Sequence, residues 1–250
     1  MNWELIFSLP NLGLRNAIGN ENIAIAPSGD SRITEITSKN NVAKHFIEGF
    51  EDQFKREVSP SFLIIPIGAP NFLRDIDTIV GFRNIIALSS IIKGYEHSLK
   101  SNFVAYTLYS DYFDFYPISI SKDGKGFITS SPSVLGYDDE VKNFLGQSSP
   151  ALANPGHVTA NPDAQIYPSL EKVWNRRYLK RKLNEWQSRK LFRSLEMAYQ
   201  ATTLPFKNHS TIYDFGSSAC LWVSAFEILS HPRVGTANLL SVLNLLGGYE

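Results

Sequence analysis

The stretch Ser217-Ser218-Ala219-Cys220-Leu221-Trp222-Val223-Ser224-Ala225-Phe226-Glu227-Ile228-Leu229 carries a single charge, Glu227, and its apolar residues fall on every side of a helix. A helix of that kind belongs in the interior of a bundle. The sequence on either side is helical as well. Ser169-Leu170-Glu171 offers a cap and an acid in a first turn, followed by Leu170, Val173, Leu179, Leu183 and Trp186 as a partial apolar stripe. The period slips around Gln187–Lys190 and resumes with Leu191, Phe192, Leu195, Ala198 and Tyr199, so two helices or one kinked helix both fit. Thr236 can cap a last helix that Gly247-Gly248 terminates. Residues 169–250 are therefore expected to form a partial helical bundle.

The N-terminal part has a different pattern. Trp3–Phe7, Ile23–Ala26 and Arg32–Thr37 have strand-like composition, separated by punctuation such as Pro27-Ser28-Gly29-Asp30. Asn40 or Asn41 can cap a helix running to about Arg56, with Val42, Ala43, Phe46, Ile47, Phe50 and Phe54 on one face. Phe62–Ile67 is a compact apolar run bounded by prolines, as in a buried strand. Phe82–Leu99 fits a helix on length. Phe103–Ile120 and Gly124–Ser130 read as two or three antiparallel strands, with Asp123-Gly124 as a hairpin turn. This order is no regular βαβ repeat, so a mixed sheet with helices on one face is expected. Residues 136–168 are rich in proline and glycine and read as a connector, with one short helix at Asp138–Leu145. The expected class is α+β: a mixed-sheet domain over 1–135, the connector, and the helices.

Composition narrows the function. With 250 residues, 43% apolar and 19% charged, the chain has material for a buried core and is not a disordered protein. No apolar run approaches the roughly 20 residues of a bilayer span, and no basic segment with an apolar run follows Met1. Cys220 is the only cysteine, which excludes an internal disulfide and a cysteine zinc site. A cytoplasmic setting is expected, with no membrane partner, no cofactor and no metal.

The formal net charge of zero hides a segregation. Lys172, Arg176, Arg177, Lys180, Arg181, Lys182, Arg189, Lys190 and Arg193 stand against the one acid Glu185, a local +8 offset by −8 elsewhere. These cations alternate with Trp174, Tyr178 and Trp186, the combination that binds phosphates and stacks bases. An ordinary solvated helix face is the other reading. The aromatic run Phe103, Tyr106, Tyr109, Tyr112, Phe113, Phe115, Tyr116 could stack bases on a sheet, although strand aromatics are more often core.

Catalytic patterns are sparse. Phosphate-loop, dinucleotide, nucleophile-elbow and His-Glu-x-x-His motifs are all missing. His45 and Glu48 share a helical face but have no third metal ligand in sight. Glu227 and His231, four residues apart at the end of the apolar helix, could form an acid/base pair. In structural terms, His231 would instead complement the helix dipole and Glu227 would pair with an arginine such as Arg193.

The segments Leu191-Phe192-Arg193-Ser194-Leu195-Glu196-Met197-Ala198-Tyr199 and Leu221-Trp222-Val223-Ser224-Ala225-Phe226-Glu227-Ile228-Leu229-Ser230-His231-Pro232 resemble HEPN-type helical domains, the Apea-like branch of bacterial uncharacterised and defence proteins. The resemblance covers at most the last 80 or so residues. It implies a helical bundle, frequent dimerisation and, in active members, metal-independent RNA cleavage in toxin or phage-defence systems. Active members carry Arg followed four to six residues later by His, and no such pair occurs here. No catalytic residue is transferred, and a ribonuclease is expected only if a longer product supplies the motif. The expectation is an RNA-binding protein, with possible RNA contacts at the eight cations from Arg176 to Arg193. The alternative is a non-catalytic scaffold that dimerises through its helices and binds a protein. In either case the last two helices are too apolar for their neighbours to cover. A homodimer, the N-terminal domain or a further C-terminal segment is expected to complete them.

Overall fold

The computed structural model describes residues 2–51, 57–100, 110–121, 125–129, 161–203, 211–235 and 239–247. The class is α+β. Two compact units form, Met1–Arg74 with Ser98–Asn161, and Asp75–His97 with Pro162–Glu250. They cut across the linear division drawn from the sequence, because residues 75–97 group with the C-terminal helices.

In the first unit, β1 (Trp3–Leu9), β2 (Ile18–Gly19), β3 (Ala24–Pro27) and β4 (Ser61–Pro66) form a sheet in the order β1-β4-β3-β2. Every pair is antiparallel where a mixed sheet was expected. The prolines around Phe62-Leu63-Ile64-Ile65 bound a strand buried on both faces, as its unbroken apolar run requires. Ser61 ties the β1–β2 loop to it: its hydroxyl donates to Leu12 O (2.6 Å) and accepts from Leu14 N (3.1 Å).

Two helices, α1 (Ser31–Lys39) and α2 (Asn41–Glu48), join β3 to β4. Arg32–Thr37, expected as a strand from its isoleucine and threonine content, is the body of α1. Asp30 accepts from Arg32 N at the N-cap (2.9 Å), and Ile33 and Ile36 share the inward face. A good cap and one turn of matching periodicity outweigh weak strand propensity. Asn40 caps α2, as expected, accepting from Val42 N and Ala43 N. That helix stops at Gly49 instead of running to Arg56, which lies outside the described residues. Phe50 meets Phe46, Phe62 and Tyr116 edge to face over the sheet. A second antiparallel pair, β5 (Ile118–Ile120) with β6 (Phe127–Thr129), completes the unit. The proposed turn at Asp123-Gly124, the segment 103–109, the helix at Asp138–Leu145 and most of the connector lie outside the described residues.

The second unit is helical: α3 (Ile76–Lys100), α4 (Ile166–Trp174, continued by a π-helical turn, Asn175–Leu179), α5 (Trp186–Thr202), α6 (Ile212–Ser230) and α7 (Leu239–Gly247). Its most buried helix is α3, with Ile79, Phe82, Ile85, Ile86, Ala87, Leu88 and Ile91 all enclosed. Trp174, fully buried, donates from Nε1 to Thr78 O (3.1 Å) and starts an aromatic series running Phe82, Trp174, Tyr178, Phe192 at centroid spacings of 5.2, 5.6 and 5.2 Å. Gly81 admits the Tyr178 ring, since a Cβ there would lie 3.0 Å from the phenol oxygen.

The interior position expected for 217–229 belongs to α3 instead. On α6 only Ala225 is buried. Thr211 and Asp214 form a capping box that starts α6 before the apolar run. Similarly, α4 begins at Ile166 and not at Ser169: the Asp163 carboxylate accepts from Gln165 N and Ile166 N, both at 2.8 Å. The proposed cap Thr236 lies outside the described residues.

The bond from Ile166 N, then that from Gln165 N, holds the Asp163 carboxyl below its ordinary pKa. A depressed carboxylate stabilises the fold above its unfolded pKa, and that contribution is lost as pH falls through the folded value. Asp163→Ala should lower the urea midpoint at neutral pH, and the gap to wild type should close below about pH 4. Gly81→Val should cost about 1–3 kcal/mol in the same assay, because the Tyr178 ring is held between Trp174 and Phe192 and cannot yield.

Candidate nucleic-acid interface

Two helices build the site. α5 and α6 run antiparallel and are joined by three side-chain bonds to backbone carbonyls: Lys190 Nζ to Leu229 O (2.7 Å), Ser194 Oγ to Ala225 O (2.8 Å) and Ser218 Oγ to Ala201 O (2.9 Å). Residue numbers rise along α5 as they fall along α6, so one register holds over the whole contact. At its end the C-terminus of α6 meets the first turns of α5 around a recess of about 210 Å³, lined by Trp186, Arg189, Lys190, Arg193, Ile228 and His231.

The spacing along α5 explains the grouping. Trp186, Arg189, Lys190 and Arg193 lie three or four residues apart and share a helical face. His231, the C-cap of α6, meets Trp186 edge to face at 6.2 Å between centroids. Its Nδ1 lies against Pro232 O, so Nδ1 donates there and Nε2 is the acceptor in the neutral ring. Lys190 has a structural role, satisfying a terminal carbonyl of α6. Arg189 and Arg193 are exposed, and their guanidinium groups make no hydrogen bond or ion pair among the described residues. Two guanidinium groups beside a half-buried indole can take a phosphate and a flat ring together.

The other cations are placed differently. Arg176 is paired with Glu185. Arg177 is drawn inward, donating to Leu183 O (2.9 Å) and Ser188 Oγ (3.4 Å) while its guanidinium lies over Tyr178 and Phe192. Lys180, Arg181 and Lys182 are exposed on the turn between α4 and α5, where Arg181 adopts φ +56°. Of the three aromatics proposed for stacking, Trp174 and Tyr178 are core residues, whereas Trp186 lines the recess. Burial pushes the Tyr178 phenol up, against the smaller opposing effect of Arg177. The N-terminal aromatics Tyr112, Phe113 and Tyr116 are buried, and Phe115 stacks on Phe7 at 4.7 Å. Phe103, Tyr106 and Tyr109 lie outside the described residues.

Glu227 and His231 are not brought together as an acid/base pair. Glu227 is exposed on α6, without an ion pair to Arg193 or to any other described residue, while His231 faces the recess. Glu48 sits 3.9 Å from Lys44. No group of three or more His, Cys, Asp or Glu that could hold a metal occurs among the described residues, and no helix there is long and apolar enough to cross a membrane.

A second cavity, of about 440 Å³, lies within the first unit along β1 and the end of α1, and nothing in the sequence reading pointed to it. Its cations are neutralised in place: Arg74 pairs with Glu4, and Lys39 with Glu35 at 2.5 Å. It therefore lacks the unpaired positive charge of the α5–α6 recess.

No family model, curated protein or solved structure matches the chain.

The two arginine roles separate by stability. Arg177→Ala should cost about 1–2 kcal/mol by removing a charged hydrogen bond and the stem packed on two rings. Arg189→Ala should stay within about 0.5 kcal/mol of wild type, as for a surface position without partners. Urea unfolding of the two variants makes the comparison.

Proposed function

We propose that the helical unit binds single-stranded RNA, with phosphates held by Arg189 and Arg193 and a base resting on Trp186. The observation that carries this reading is the recess itself, where two exposed guanidinium groups, without a partner among the described residues, adjoin an indole and an imidazole. The local +8 of residues 172–193 supports it by supplying a field that draws a polyanion toward this face. Lys180, Arg181 and Lys182 extend the basic surface along the preceding turn. The resemblance to HEPN-like defence proteins agrees with an RNA partner and gives the context in which such binding would serve: an RNA-targeting toxin or phage-defence system in the cytoplasm. The proposal is one of binding.

Measuring affinity for a single-stranded oligoribonucleotide against salt tests the reading. Each phosphate contact removed should reduce the log–log slope by about 0.7, so Arg189→Ala/Arg193→Ala should reduce it by about 1.4. Trp186→Ala should weaken binding by about 1–3 kcal/mol with the slope retained. Wild-type affinity and slope in the double arginine variant would remove the recess from the interface.

A further inference from the structure

The outward face of α6 has a pattern of its own. Ile212, Gly216, Ala219 and Val223 follow steps of four, three and four residues, the a/d spacing of a coiled-coil seam, and all four are exposed. Ile212 is 80% and Val223 55% exposed. Tyr213 (82% exposed) and Cys220 flank the seam on one side, and Phe215 (55%) and Trp222 on the other. None of these eight residues is charged. The α5-facing residues Ser218 and Ala225 belong to a different stripe, so the seam is not a by-product of the α5–α6 contact.

The order of sizes along the seam is large, small, small, large, and it reads the same in both directions. A surface of that kind is self-complementary about a two-fold axis crossing the helix between Gly216 and Ala219. We infer that α6 pairs antiparallel with α6 of a second copy. Ile212 then faces Val223 of the other copy, and Gly216 faces Ala219, so the backbones approach closely at the waist. In an antiparallel pair each flank meets its own kind, which sets Phe215 against Trp222 and Tyr213 against Cys220. The eight residues expose on the order of 800 Å², about what one partner contributes to a standard interface. An apolar patch of that extent drives association when left in water. This inference is independent of the RNA reading, since the recess and the seam use different residues.

The full chain tests it. Wild type should sediment with the mass of two chains at micromolar concentration. Ala219→Glu places a charge at the waist on a residue that a single copy leaves exposed, so it should sediment as one chain with unchanged circular dichroism. In a Cys220→Ser background, Gly216→Cys/Ala219→Cys should form interchain disulfides on mild oxidation, and either cysteine alone should do so far less. A single-chain mass for wild type would overturn the inference and leave the face to another segment or protein. A two-chain mass retained by Ala219→Glu, or equal cross-linking by either single cysteine, would overturn the seam or its register.

Discussion

The helical unit depends on the way α5 and α6 are locked together. Serine is an indifferent helix former, yet Ser194 and Ser218 each send a buried or half-buried hydroxyl to a carbonyl of the other helix, and Lys190 does the same at the end. Small side chains let the helices approach, and hydroxyl-to-carbonyl bonds avoid leaving polar atoms unsatisfied at the contact. One register is thereby fixed over the helix pair. Slipping α6 by a residue would break all three bonds at once.

Two consequences follow from that register. At one end it brings the α6 C-terminus to the first turns of α5, where Trp186, Arg189, Arg193 and His231 converge. Along the length it turns Ser218 and Ala225 inward and leaves the opposite stripe of α6, from Ile212 to Val223, facing out. The same constraint thus produces a cationic recess and an apolar face on one helix pair, and each calls for a different kind of partner.

The remaining arrangement of the unit rests on α3. Its glycine at 81 accepts Tyr178, its Thr78 carbonyl accepts from Trp174, and its Leu88 packs with Ala198 and Ala225. A helix of the first hundred residues therefore supplies a centre for the last hundred, which binds the two stretches of chain into one core. Acid removes one stabilising contribution of this unit at Asp163, whose ionised carboxyl closes the start of α4.

Local signals in the sequence determined much of this. Asn40 announces α2, the proline-bounded run at 62–65 announces a buried strand, and the nine cations between 172 and 193 announce a basic segment. The class α+β was legible for the same reason, since periodicity and capping are properties of neighbouring residues. The roles within the fold were not. An apolar helix reads as central whether its surroundings are its own chain or a partner, and only the tertiary structure shows α3 enclosed and α6 outside. Charge counting could not separate Arg177, folded over Tyr178 and Phe192, from Arg189 and Arg193, whose guanidinium groups have no partner among the described residues. Nor could it tell Trp174 in the core from Trp186 at the recess. Sequence fixes what each residue can do with its neighbours in the chain. Which of those capacities are used depends on contacts across many residues, such as Ser194 with Ala225, and these form only when the helices pack.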